Sequence, residues 1–441
     1  MSEVSEVSEG ARGVPSELTV VGGRPLRGRV RVPGCKGISH RALIFAAIAN
    51  GRSAIRGLAD GADVASTASC LESLGVKIRS DGDAAIVRGL GFDGLREPAG
   101  VLDCGNSGTT IRMVAGLVAG RDFLSVLVGD ESLSARPMRR VLDPLMAAGA
   151  HVDGRDGGAL APIVVRGGAL RGVRHELATA SGQVKTALVL AGLQTEAVTE
   201  IVEPAPSRDH TERMLVALGA PIERVSANHL RVRAGEPEPF ELTIPGDPSS
   251  AAFFIVAACI VPGSDLVVES VSLNPARIAY VDVLRRMGAQ IELTVTGEEV
   301  GEPVGDVHVT AGPLTATDIA GDESIIDELP VLAIAAAFAD GTTTIYDASE
   351  LAVKESNRIG TVEQELTQLG IAVEARPDGL VIHGGSPTGA SLKSHGDHRI
   401  AMAGAVAGLA ASGETTVRGF GVTAISYPGF AADLDAIVNP A

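Results

Sequence analysis

Apolar positions along the chain fall into two alternating kinds of run. Helix-like runs rich in Ala, Leu and Val occupy 42–49, 185–192, 251–258 and 400–411, with small residues on every side. Lacking a polar face, they suit helices buried between other layers. Short β-type stretches lie at 19–21, 53–55, 85–87, 163–165, 266–268, 307–309 and 416–417, punctuated by Gly and Asp. One phrase links the two: a helix-like run ends in an apolar residue, then Gly, then a β-type stretch. It occurs at Leu74-Gly75-Val76, Ala148-Gly149-Ala150, Leu218-Gly219-Ala220, Met287-Gly288-Ala289 and Leu369-Gly370-Ile371. The glycines are 149−75 = 74, 219−149 = 70, 288−219 = 69 and 370−288 = 82 positions apart. That period exceeds a solenoid repeat, so each unit is a larger α/β block in which Gly caps the helix and the strand returns along it. Five units are clear, and a sixth at the C-terminus lacks its final Gly-strand.

The phrases Val32-Pro33-Gly34-Cys35-Lys36 and Ile244-Pro245-Gly246-Asp247-Pro248 match as crossovers and predict two lobes, 32–246 and 17–31 plus 247–441. The acidic repeat at the start of the chain predicts a disordered tail over 1–16. A net charge of −17 argues against a nucleic-acid binder, and no window approaches eighteen uninterrupted apolar residues, against a membrane span. Four scattered cysteines without C-x-x-C spacing predict reduced thiols in a soluble, cytoplasmic protein.

Against that acidic background, basic residues concentrate at small-residue turns entering helices, where free backbone N–H groups and the helix dipole favour anions. Lys354, Glu355 and Arg358 fall within five positions at one such entry. Comparable turns are Lys36 to Arg41, Asp103 to Arg112, Ser134 to Arg140, Thr179 to Lys185, Ser207 to Glu212 and Ser394 to Arg399. Taken singly, each also fits a solvated loop. His395, Asp397 and His398 suggest a metal set, but no third His or Cys cluster supports one, and a capping Asp beside an arginine is the better account. Asp327 and Glu355 lie among apolar or basic neighbours and suit either acid/base chemistry or capping and ion pairing.

In this order and over about residues 17–435, these motifs resemble the enolpyruvyl transferase family. The matching elements are Lys36 with Ser39-His40-Arg41, Gly105-Asn106-Ser107-Gly108-Thr109, Arg136-Pro137-Met138, Ser181 with Gln183-Val184-Lys185, Arg208 to Glu212, Gly246 to Ser250, Asp327-Glu328, Lys354 to Arg358 and Asp397 to Met402. The resemblance implies an α/β two-lobed fold of six βαβαββ repeats, three per lobe (an inside-out α/β barrel), with the active site in the cleft between lobes that close on their substrates. It implies transfer of the enolpyruvyl group of phosphoenolpyruvate to a phosphorylated alcohol through a tetrahedral intermediate, releasing phosphate, with no cofactor and no metal. By the same resemblance, Lys36, Gly108, Arg136, Gln183, Arg358 and Arg399 surround phosphoenolpyruvate. Arg41, Ser181, Arg208, Asp327 and Lys354 hold the acceptor. Asp327 takes the acceptor proton, Glu355 exchanges the methylene proton, and Lys36 joins them in catalysis. A monomer binding small molecules, with neither nucleic acid nor membrane as partner, is expected. Gly108 implies sensitivity to glyphosate, since no side chain narrows the pocket there.

The likeness is strongest to members acting on the 5-hydroxyl of shikimate 3-phosphate. Departures gather on the acceptor side: Gly37 stands where the family usually has Ser, Cys35 where it has Asp or Ser, Gly182 where it has Ala or Ser, and Ala352 where it has Arg or Lys. They keep open another acceptor, such as the 3′-hydroxyl of UMP. The reactive loop cysteine of the UDP-N-acetylglucosamine enzymes has no counterpart. A silent binding paralogue predicts loss of Asp327, Glu355 or the arginines, and all are present.

Overall fold

A computed structural model describes residues 13–439. The chain divides into an inserted unit, Gly34–Ile244 with Glu298–Glu302, and a terminal unit comprising the chain up to Pro33, Pro245–Gly297 and Pro303 onward. Each unit has its own hydrophobic core. Of the tail expected over 1–16, residues 1–12 lie outside the described residues. Its last positions are held instead: Val14 is buried in the terminal core, and Ser16 O accepts from the Phe420 amide.

Among the described residues there are five four-stranded sheets and one three-stranded sheet. The four-stranded sheets share one plan, seen in Leu102–Asp103 parallel to Leu124–Val128, which pairs antiparallel with Leu160–Arg166, itself antiparallel to His151–Gly154. Two sheets recruit a distant parallel strand: Glu241–Thr243 pairs with Gly51–Arg56, and Arg27–Val30 with Asp265–Ser272. In the sixth sheet Glu17–Val21 pairs antiparallel with Glu414–Arg418, in the place that Leu160–Arg166 holds beside Leu124–Val128, and the outer Gly-strand has no counterpart among the described residues. The fold is thus six α/β repeats.

The five repeated glycines do what the sequence pattern asks of them. Gly75, Gly149, Gly219, Gly288 and Gly370 all have positive φ, from 75° to 109°. At the first, Gly75 N donates to Glu72 O and Val76 N to Leu71 O, so otherwise unpaired carbonyls of the helix end are satisfied and the chain turns into the strand Lys77–Asp81.

Six helices run through the cores. Those of the inserted unit are Lys36–Ile48, Gly108–Val118 and Gly182–Gly192. Those of the terminal unit are Pro248–Ile260, Leu329–Ala337 and His398–Ala410. Pro248–Ile260 and Leu329–Ala337 are buried at every position, as their lack of a polar face requires. Small residues let these helices approach closely: a Cβ on Gly116 would come within 2.2 Å of Ala187 O. Among the described residues, no helix is long and apolar enough to cross a membrane.

Candidate active site

The N-termini of the core helices carry the basic motifs, so backbone N–H groups and cationic side chains converge at the same ends. In the inserted unit, Ser107 and Ser181 cap their helices by accepting from Thr110 N at 3.1 Å and Val184 N at 3.5 Å. The first of these capped ends supports a cluster around Gly108. Arg112 Nη1 donates to Gln183 Oε1 at 2.6 Å and to Gly108 O at 3.3 Å. Gln183 Nε2 donates to Thr109 Oγ1 at 3.0 Å. Arg136 Nη2 donates to Asn106 Oδ1 at 2.9 Å, and Asn106 in turn donates to Asp130 at 2.7 Å. A Cβ on Gly108 would lie 2.8 Å from Arg112 Nη1 and 3.4 Å from Arg136 Nη1, so the glycine leaves two guanidiniums facing one small gap. Lys36, on the neighbouring helix, pairs with Asp63.

The second capped end presents Arg41, Ser181 and Arg208. Arg41 is buried, donating from Nε to Thr211 Oγ1 at 2.7 Å, from Nη1 to Gly37 O at 2.9 Å, and from Nη2 to Thr186 Oγ1 at 2.9 Å and Gly182 O at 3.2 Å. Burial lowers its pKa to about 10, still charged at neutral pH. These four bonds spend most of its five donors on the protein, so Arg41 acts as an oriented charge with little donor capacity left. His40 is buried on the same helix, and burial, then the Lys36 charge, lower its pKa to about 3. It is a neutral link in a chain through Thr67 and Thr110 to Ser107, each step 2.7 Å.

In the terminal unit the expected residues gather around Asp327. Its carboxylate lies 3.5 Å from Arg358 Nη1 and 3.7 Å from both Lys354 Nζ and Arg399 Nη2, while its carbonyl accepts from Arg399 Nη1 at 2.9 Å. Glu355 accepts from Arg358 Nη2 at 2.7 Å. Burial alone would push the Glu355 carboxyl up, but Arg358 and His398 outweigh it and leave the pKa below the ordinary value. Arg358 itself is buried and committed to three carboxylates, Asp327, Glu355 and Asp397. The helix entry at this cluster begins at Arg358, capped by Asn357, after a short 3-10 turn Ser349–Val353.

The structure places Gly108, Arg136 and Gln183 in one neighbourhood, Arg41, Ser181 and Arg208 in a second, and Asp327, Lys354, Glu355, Arg358 and Arg399 in a third, with Lys36 paired to Asp63. Sequence reasoning gave Arg112, the last residue of its turn, no separate role, and it overlooked Asp63. Arg112 was within reach, since it stands four residues after Gly108 on the same helical face. His395 pairs with Glu365 at 2.6 Å and Asp397 caps its helix through Arg399 N at 2.9 Å. Among the described residues, no group of three or more His, Cys, Asp or Glu is arranged to hold a metal.

Six small mixed sheets in two units, with cations and carboxylates at the helix N-termini, define the class: an enolpyruvyl transferase. Residues 20–434 match the family described as EPSP synthase (3-phosphoshikimate 1-carboxyvinyltransferase), and the chain belongs to that family. The 3-phosphoshikimate 1-carboxyvinyltransferase of Synechococcus sp. (strain JA-3-3Ab) is 49% identical, over 96% of this chain and 97% of its own. That of Herpetosiphon aurantiacus is also 49% identical, over 93% and 97%. The EPSP synthase structure from Acinetobacter baumannii aligns with a TM-score of 0.87 at 37% identity, covering 96% and 98%. The enolpyruvyl transferase NikO from Streptomyces tendae shares the fold, with a TM-score of 0.76 at 22% identity over 95% and 96%.

Proposed function

We propose that the protein transfers the enolpyruvyl group of phosphoenolpyruvate to the 5-hydroxyl of shikimate 3-phosphate and releases phosphate. The observation that carries the site reading is Asp327, a carboxylate with Lys354, Arg358 and Arg399 all within 3.7 Å. Cations so placed attract anionic substrates to a carboxylate able to receive a proton.

In this reading the acceptor oxygen attacks C2 of phosphoenolpyruvate while Asp327 takes its proton, and the methylene carbon takes a proton from Glu355, which has first received it from solvent. The resulting tetrahedral intermediate loses phosphate as the C–O bond to phosphorus-bearing oxygen breaks, and a methyl proton returns to Glu355 to restore the double bond. Lys36, Arg136, Gln183, Arg358 and Arg399 hold the phosphoenolpyruvate anion, with Gly108 leaving room for it. Ser181, Arg208, Arg41 and Lys354 hold the acceptor, and Lys36 assists the phosphate-bearing oxygen as it departs. The protein works without a cofactor, as a cytoplasmic monomer.

The test is phosphate release from phosphoenolpyruvate with shikimate 3-phosphate or with UMP. Turnover with shikimate 3-phosphate alone is expected. Turnover with UMP and none with shikimate 3-phosphate overturns the reading.

A further inference from the structure

Glu203 follows the C-terminal end of the strand Thr199–Val202, the end of an α/β sheet at which ligand loops gather. It is buried, and its backbone is clamped on both sides by Asn228: Glu203 N donates to Asn228 O at 2.9 Å, and Asn228 Nδ2 donates to Glu203 O at 2.6 Å. The carboxylate so fixed reaches two separate loops. Oε1 accepts the Ser181 amide at 3.0 Å, and Oε2 accepts the Ser207 hydroxyl at 3.0 Å. Ser181 and the neighbour of Ser207, Arg208, are two of the groups that hold the acceptor in the proposed function.

A buried carboxylate beside an anion-binding site is repulsive unless neutralised. Lys185 offsets part of that repulsion, shared between two carboxylates: its Nζ is 2.9 Å from Glu203 Oε2 and 2.9 Å from Glu212 Oε1, with all three side chains buried. Lys185 lies one turn into the helix that Ser181 caps, and its amide donates to Ser181 O at 2.9 Å. Ser181 is consequently held through its N–H by Glu203, through its carbonyl by Lys185, and through its Oγ as acceptor from Val184 N. Its hydroxyl hydrogen remains to be donated to an anionic ligand.

We propose that Glu203, paired with Lys185, is a positioning residue for the phosphate group of the acceptor: it fixes the spacing between Ser181 and Arg208 without touching the substrate. This inference rests on the assignment of Ser181 and Arg208 to the acceptor. A merely structural ion pair would affect folding and both substrates alike.

The experiment measures kcat and both KM values, with thermal midpoints, for Glu203→Ala, Glu203→Gln, Ser207→Ala and Ser181→Ala. Glu203→Ala is expected to raise KM for shikimate 3-phosphate by about 10-fold or more, the scale of a lost charged hydrogen bond, with kcat and KM for phosphoenolpyruvate changed less than about 3-fold. Glu203→Gln keeps an acceptor for the Ser181 amide but turns an NH₂ toward Lys185 or Ser207, so its KM falls between wild type and Glu203→Ala. Ser207→Ala, which removes one arm only, raises the same KM to a smaller extent. Equal losses for both substrates, or no difference between Gln and Ala at 203, overturn the proposal. So does an unchanged acceptor KM in Ser207→Ala, the variant that decides if Glu203→Ala does not fold. If Ser181→Ala leaves the acceptor KM unchanged, the assignment of Ser181 fails; if it raises that KM and Glu203→Ala does not, the positioning role alone fails.

Discussion

Arg358 and Asp397 form a forked ion pair, Nε to Oδ2 at 2.8 Å and Nη2 to Oδ1 at 3.3 Å, with side chains 1% and 0% exposed. Burial works against the Asp397 charge, but Arg358, His398 and the Arg399 amide outweigh it, lowering the pKa from 3.8 to about 2. A carboxyl whose folded pKa is depressed adds stability above its unfolded pKa and loses it as pH falls through the folded one. The pair therefore strengthens the terminal unit above about pH 4 and ceases to do so between about pH 4 and 2. Asp397→Asn is expected to cost about 3 kcal/mol at neutral pH, because it strips a buried guanidinium of its forked partner while Glu355 and Asp327 remain. It should also flatten the acid limb of stability in that window. Denaturant melts from pH 7 to 2 check both effects, and an unchanged acid limb refutes the assignment.

Glu355 bonds the same guanidinium from the other side, at 2.7 Å, and its lowered pKa keeps it ionised at neutral pH. An ionised carboxylate can take a proton from solvent, give it to the methylene carbon in the addition and take one back from the methyl group in the elimination. Asp327→Ala and Glu355→Gln should each lower kcat by roughly 10²-fold or more. Only Glu355→Gln should also stop solvent deuterium from entering the methylene carbon of phosphoenolpyruvate during turnover. Near-native kcat in both variants, or deuterium uptake that persists in Glu355→Gln, removes these roles.

The repeat was legible because its signals are local. A glycine with positive φ after a helix and an all-apolar small-residue helix each declare themselves within a few residues, as at Gly75 and Pro248–Ile260. The strands that complete sheets from afar were not, since nothing in Glu241–Thr243 says that its partner is Gly51–Arg56, and no local pattern assigns Glu298–Glu302 to the inserted unit. Candidate residues for the site could be named from their motifs, but not how their hydrogen bonds are spent. Arg41 and Arg358 read as cations waiting for substrate, whereas packing commits both largely to protein acceptors. Glu203 carries no motif at all, because its importance lies in two loops that only the fold brings together.

Gly108 gives a steric prediction. In Gly108→Ala the new methyl falls 2.8 Å from Arg112 Nη1, and that nitrogen is already held by Gln183 at 2.6 Å, so it cannot withdraw without breaking the bond. The side chain that yields is in the phosphoenolpyruvate cluster. KM for phosphoenolpyruvate should rise by about 10-fold, the scale of one lost charge-assisted bond, with the acceptor KM and the melting temperature little changed. Steady-state kinetics with each substrate varied in turn decide the matter, and an equal rise in both KM values contradicts it.

Gly37 and Gly182 depart from the family pattern in the same neighbourhood, but the surroundings treat them differently. The atoms nearest to a Cβ on Gly37 would be His210 Cδ2 at 3.6 Å and His210 Nε2 and Arg41 Nη1 at 3.7 Å, ordinary contact distances. A Cβ on Gly182 would press on Arg208 Cβ and O at 3.2 Å. Gly37→Ser should therefore fold normally, and its hydroxyl would stand beside the Arg41 guanidinium, adding a donor where Arg41 has few left. If shikimate 3-phosphate is the acceptor, this variant should lower its KM by several-fold, the worth of one hydrogen bond of about 1 kcal/mol. Gly182→Ala should do the opposite, raising that KM by displacing Arg208 while leaving phosphoenolpyruvate binding intact. A rise in acceptor KM for Gly37→Ser would mean that the opening at Gly37 accommodates part of the acceptor itself, and the same assay repeated with UMP would then identify which acceptor needs the space.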